Sequence, residues 1–91
     1  MARAATLANV AASATSVALF PASGGVAARA VYNDSASATL YLKYGETASA
    51  TSYTVAIPAG GYFEFPRPAY DGLVHGIWSS ATGAARTTEV A

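Results

Sequence analysis

The sequence predicts an all-β fold, a small antiparallel β-sandwich or barrel of about seven or eight short strands behind an Ala-rich N-terminal arm. Three observations predict it. Apolar and polar residues alternate with a period of two through much of the stretch from Val31 to Val90, which is the period of a half-buried strand. Clusters of Gly, Pro, Asn and Asp interrupt that alternation at short intervals, and these residues supply turn geometry. A chain of 91 residues makes one domain with room for a single two-layer core.

The elements follow in order. Ala2 to Ala14 has helical propensity without an amphipathic stripe, which leaves a short helix, a strand or an arm open, and an extended arm is the preferred reading. Ser16 to Phe20 reads as the first strand, stopped by Pro21, Gly24 and Gly25. These elements make residues 1–24 an arm plus first strand, and residues 25–91 the body of the same domain. Val26 to Tyr32 is the next strand, and Asn33, Asp34 and Ser35 form a turn signal, because Asx side chains bond nearby backbone amides. Thr39 to Tyr44 places Leu40, Leu42 and Tyr44 on one face and Tyr41 and Lys43 on the other, and Gly45 ends it. After the loop from Glu46 to Thr51, Tyr53, Val55 and Ile57 share a face, and Pro58, Gly60 and Gly61 turn the chain. In Tyr62 to Phe65, Phe63 and Phe65 oppose Tyr62 and Glu64, and Pro66 and Pro68 forbid further ladder pairing. Asp71 and Gly72 reverse the chain again. Leu73 to Trp78 is apolar on both faces and reads as a central strand, while the more polar Ala84 to Val90 reads as an edge strand.

Composition narrows the function. Of the apolar residues 23 are Ala, whereas Val, Ile, Leu and Phe together number 17, so few side chains build the core. Charged residues are 11% of the chain, and five basic and five acidic side chains cancel, well below the usual charged quarter. Arg3, Arg29, Lys43, Arg67 and Arg86 stand singly, which gives no basic field for nucleic acid. No apolar run reaches the roughly 18 residues of a membrane span. Asn9, Ser13, Thr15 and Ser16 also interrupt any signal-like hydrophobic stretch near the N-terminus. With no Cys, neither disulfides nor thiolate metal sites form.

Catalytic chemistry finds no constellation. A Ser with His75 and Asp71 or Asp34 would be a nucleophile, base and orienter, but nine Ser residues make such a set cheap. The single His, between Val74 and Gly76, reads as a packing residue. Glu46, Glu64, Asp71, Asp34 and Glu89 are dispersed, without the pairing that glycoside hydrolysis uses. Gly60 and Gly61 open no helix and so carry no phosphate-loop meaning. No metal-ligating cluster appears, and no cofactor is expected.

The unusual enrichment is Tyr, at positions 32, 41, 44, 53, 62 and 70. Alternation leaves Tyr41 and Tyr62 as the expected exposed members, and exposed Tyr offers contact area at low entropic cost. Trp78, at a strand end, reads as a core anchor, with a sugar-stacking surface ring as the competing use. Arg67 is held between Pro66 and Pro68, whose rings stiffen its backbone and project its guanidinium. Arg3, Leu7, Tyr41, Tyr62, Arg67 and Tyr70 are the candidate interface residues.

Specific stretches carry a resemblance: Tyr32-Asn33-Asp34-Ser35, Leu40-Tyr41-Leu42-Lys43 with Gly45, Ser52-Tyr53-Thr54-Val55, Gly60-Gly61-Tyr62 with Glu64 and Pro66, Gly76-Ile77-Trp78, and Ala85-Arg86-Thr87-Thr88-Glu89. Over residues 29–90 the chain resembles small virion structural proteins of tailed bacteriophages. The resemblance implies a non-enzymatic virion component at the capsid surface: a capsid decoration (cement) protein, or the base of a head spike. Its partners would be the major capsid protein and copies of itself, with a trimer as one natural arrangement, and no active-site residue comes with it. A carbohydrate-binding or adhesion module and a tail or baseplate accessory domain are the alternative readings. On the capsid reading the arm lies over a neighbouring subunit, so removing residues 2–14 is expected to weaken attachment and leave the sandwich folded.

Overall fold

The computed structural model describes residues 3–91. Eight strands run in chain order: β1 (Ala5–Ala11), β2 (Val17–Phe20), β3 (Ala28–Asp34), β4 (Leu40–Tyr44), β5 (Val55–Ile57), β6 (Tyr62–Glu64), β7 (Val74–Trp78) and β8 (Ala84–Val90). They form two four-stranded antiparallel sheets, ordered β1-β8-β3-β6 and β2-β7-β4-β5, so the sandwich alternative of the sequence reading holds. The body measures 41 × 22 × 18 Å.

Alternation places the core as expected. In β4, Leu40 and Leu42 are buried with Tyr44 behind them. In β7, Val74, Gly76 and Trp78 face the same interior, and β7 lies centrally between β2 and β4. Leu19, Phe20, Val31, Ile57, Phe65 and Ala85 complete the layer between the sheets. Gly76 is forced there, since a Cβ would stand 2.8 Å from Leu19 and 2.9 Å from Leu40, closer than packed carbons approach. Gly83 is forced differently. Its φ of +97° suits a residue without Cβ, and a Cβ would also lie 2.4 Å from the Asp34 carbonyl oxygen.

Three readings need correction. Ala84 to Val90 is the second strand of its sheet, flanked by β1 and β3, because the Ala-rich N-terminal segment takes the edge. That segment is extended, as expected, but from Ala5 to Ala11 it pairs with β8 in unbroken register. Val10 and Ala12 also pack against the core. Deleting residues 2–14 would therefore strip a strand from the sheet and uncover β8, instead of trimming a loose arm; Ala2 itself lies outside the described residues. Last, Asn33 and Asp34 are paired strand residues at the end of β3, and the reversal starts where the Ser35 amide donates back to the Asn33 carbonyl at 3.0 Å. The turn continues at Ser35, whose Oγ accepts from the Ala38 amide at 3.0 Å.

Two buried polar side chains organise the interior, and every buried side-chain nitrogen and oxygen among the described residues has a partner. Arg29 is 1% exposed. Its Nε donates to Glu89 at 2.8 Å, and its terminal nitrogens donate to the carbonyls of Tyr70 (2.9 Å), Gly72 (2.7 Å) and Pro21 (2.7 Å). The guanidinium also lies 4.7 Å from the centre of the Phe20 ring, a cation–π distance. Asn33 is fully buried; its Nδ2 donates to the carbonyls of Ala38, Ile57 and Pro58 at 2.9, 3.0 and 3.1 Å. Its Oδ1 accepts from the Trp78 indole at 3.1 Å.

Beside Arg29, Tyr44 stacks on Tyr70 with centroids 4.5 Å apart and planes 3° apart, and on Phe65 at 5.2 Å. Burial raises the Tyr44 phenol above its ordinary value, opposed in part by the Arg29 charge. A phenol with a raised folded pKa contributes stability that is intact below the ordinary pKa of about 10 and is lost as pH rises through the raised value. The thermal midpoint is accordingly expected to fall more steeply above about pH 10 in the parent than in Tyr44→Phe. Parallel alkaline limbs in the two proteins would refute this.

Candidate interaction surface

The sheet β1-β8-β3-β6 turns Arg29, Val31, Asn33, Ala85 and Thr87 inward, all buried. The complementary phase faces outward, and the registers assemble it into rows. One row runs Leu7, Thr88, Ala30, Glu64. The next runs Asn9, Arg86, Tyr32, Tyr62. Ala5, Val90 and Ala28 form a third row. The result is a face where the small side chains of Ala5, Ala28, Ala30 and Thr88 adjoin a row crossed by Asn9, Arg86 and Tyr32, with Leu7, 74% exposed, at one margin and Tyr62, 65% exposed, at the other. On this face Arg86 Nε donates to Asp34 Oδ2 at 2.8 Å, and Glu64 adds a second carboxylate at the β6 margin. The Arg86 and Asp34 side chains are largely exposed, so the pair adds little stability.

Surface depressions are shallow. The best-formed ones hold about 170, 280 and 120 Å³, below the roughly 300–1,000 Å³ typical of small-molecule sites. The 170 Å³ depression lies on this outward face, bounded by Ala28, Ala30, Thr88, Val90, Tyr62 and Glu64. Such geometry suits a flat macromolecular contact, whose core is apolar and poor in charge.

The structure separates the six candidate residues. Leu7 and Tyr62 share the outward face and are both exposed. Arg3 is exposed at the chain start, donating to the Ala91 carbonyl at 3.1 Å. Arg67 is exposed in the loop after β6. Tyr41 is only half-buried and sits on the other sheet, its ring 5.0 Å from that of Tyr53. Tyr70 belongs to the interior stack on Tyr44, because the loop bearing it is drawn inward by Arg29. Tyr32 was missed as a surface residue although its strand phase, opposite to Val31, marks it.

For sugar stacking, two exposed coplanar rings are required. Trp78 is 2% exposed and takes the core-anchor role, and the Tyr41 and Tyr53 rings tilt by 54°, which leaves Tyr32 and Tyr62, exposed neighbours across β3 and β6, for that use. His75 Nδ1 lies 2.9 Å from Ser16 Oγ, which also accepts from the Ala48 amide at 3.0 Å. Among the described residues no carboxylate hydrogen-bonds the imidazole, so the pair fastens the loops of Ser16 and Ala48 to β7. No group of three metal-ligating side chains occurs among the described residues. Comparison of the chain with protein-family models, curated proteins and solved structures found no match.

Proposed function

We propose that this chain is a non-enzymatic structural protein of a tailed-phage virion, a capsid decoration protein that binds the outer capsid surface and reinforces the head. One observation carries the reading: a shallow sheet face that carries exposed Leu7 at one margin and exposed Tyr32 and Tyr62 toward the other, in a molecule whose buried polar groups are consumed in holding the fold. A shallow surface of this kind meets a partner over a broad area, with exposed aromatic and aliphatic side chains as its anchors. The phage context comes from the sequence resemblance. Repetition of capsid sites lets a small domain gain stability from bound neighbours.

Cryo-electron microscopy of intact particles tests the proposal. Ordered density at repeated outer-capsid sites is expected; density at the tail alone, or none, would assign the accessory or adhesion reading instead. The double variant Leu7→Ser, Tyr62→Ser is expected to bind particles at least about tenfold more weakly, as loss of interface anchors does. Neither side chain is buried in the domain, so its thermal midpoint should stay close to that of the parent. Undiminished occupancy would show that this face is not the contact.

A further inference from the structure

The four free sheet edges of this domain are unequal. β6 is three residues long and is followed by Pro66 and Pro68. β5 is also three residues and is closed by Pro58. β2 is four residues, breaks register between Ala18 and Phe20, and ends at Pro21. Short length, proline and bulges are the devices by which edge strands are kept from pairing with other chains. β1 has none of them. Its seven residues, Ala5-Thr6-Leu7-Ala8-Asn9-Val10-Ala11, contain no proline or ionisable side chain, and the register with β8 is continuous throughout.

The ladder also fixes which backbone groups are offered. The Ala91 amide donates to the Ala4 carbonyl, and the Ala12 amide donates to the Gly83 carbonyl. In an antiparallel pair the hydrogen-bonding direction alternates along the strand. The even-numbered residues of β1 therefore point their amides and carbonyls at β8, and Ala5, Leu7, Asn9 and Ala11 point theirs outward. Seven residues of open ladder thus lie along one margin of the sheet.

The geometry points to β1 as a strand-addition site for a second copy of this chain, joined β1 to β1 in antiparallel fashion about a twofold axis through Ala8. A second copy fits because the edge is complementary to itself. Ala5 of one copy falls opposite Ala11 of the other, and Leu7 opposite Asn9, so each outward residue meets another with the same free amide and carbonyl. Each such pair exchanges both hydrogen bonds. No like charges meet, because the strand carries none. Pairing closes at two copies, since each has one β1, and the product is a continuous eight-stranded sheet whose remaining margins are the two shielded β6 edges. The inference concerns the isolated protein and does not rest on the capsid reading.

Asn9→Pro isolates the contact. It removes an outward amide while leaving the inward ladder to β8 intact, which is the position where an edge strand tolerates proline. Sedimentation of the full chain is expected to show a species of twice 9.2 kDa for the parent as concentration rises, and the single mass for Asn9→Pro. Because the chain lacks Cys, Ala8→Cys supplies a unique thiol on the axis. Directly opposed Cα atoms of a non-hydrogen-bonded pair lie about 4.5 Å apart, within disulfide reach. Ala8→Cys should cross-link under mild oxidation, whereas Ala56→Cys, exposed on β5, should not. Near-ultraviolet circular dichroism of Trp78 checks that each variant is folded. A parent that stays at the single mass with no Ala8→Cys cross-link overturns the inference. So does a parent dimer that a folded Asn9→Pro leaves unchanged.

Discussion

Arg29→Ala is expected to remove a large share of the domain's stability. The substitution removes a guanidinium that ties β3 to Glu89 and to the carbonyls of Pro21, Tyr70 and Gly72, so three loop carbonyls lose their donor together. Breaking a buried charged network of this kind costs about 3–5 kcal/mol, and a 91-residue domain has only about 5–14 kcal/mol in total. Two further variants separate the contributions. Arg29→Lys keeps the charge but cannot fork to several acceptors, and its midpoint should fall between parent and Arg29→Ala. Glu89→Gln should cost far less, because the Glu89 side chain is 20% exposed and reaches water. If Glu89→Gln proved as damaging as Arg29→Ala, the ion pair and not the carbonyl clamp would be the dominant contact. Urea unfolding of the three variants measures all of this.

Asn33→Ala is expected to produce the second-largest loss, roughly 2–4 kcal/mol, since each buried group left without its hydrogen bond costs about 1–3 kcal/mol. The amide reaches the carbonyls of Ala38, Ile57 and Pro58 and accepts from Trp78, spanning both sheets with one side chain. Asn33→Asp should be at least as damaging near neutral pH, because a carboxylate cannot donate to those three carbonyls. Trp78 reports directly. Its near-ultraviolet signal should weaken in Asn33→Ala even where the protein stays folded, and an unchanged signal with unchanged stability would show that the amide is dispensable.

These two residues also mark where the sequence was legible and where it was not. Alternation identified β4 and β7 because Leu40, Leu42, Val74 and Trp78 are apolar and in phase. The same phase runs through Arg29, Val31 and Asn33, but a strand reading treats Arg as outward and Asn as a turn former. The signal was present: Arg29 and Asn33 each lie two residues from Val31, in a chain with five basic side chains. Strand order was hidden for another reason. β8 directs Ala85 and Thr87 inward, small side chains that look like an edge, and only pairing with β1 makes it internal. The outward surface was half legible, with Leu7 and Tyr62 found. Tyr70 was misassigned because its position depends on Arg29 gripping a loop some forty residues away in sequence.

The position of β8 has a consequence for synthesis. Its two neighbours in the sheet begin at Ala5 and Ala28, yet the strand that joins them begins only at Ala84. Until Ala84–Val90 emerges, β1 has no partner and β3 has only β6, so this sheet cannot close on a growing chain. Native pairing between segments far apart in sequence also forms slowly, because loop closure precedes the contacts that reward it. Closure of this sheet is thus deferred until β8 has been made, and until then the unpaired segments of β1 and β3 must avoid finding one another.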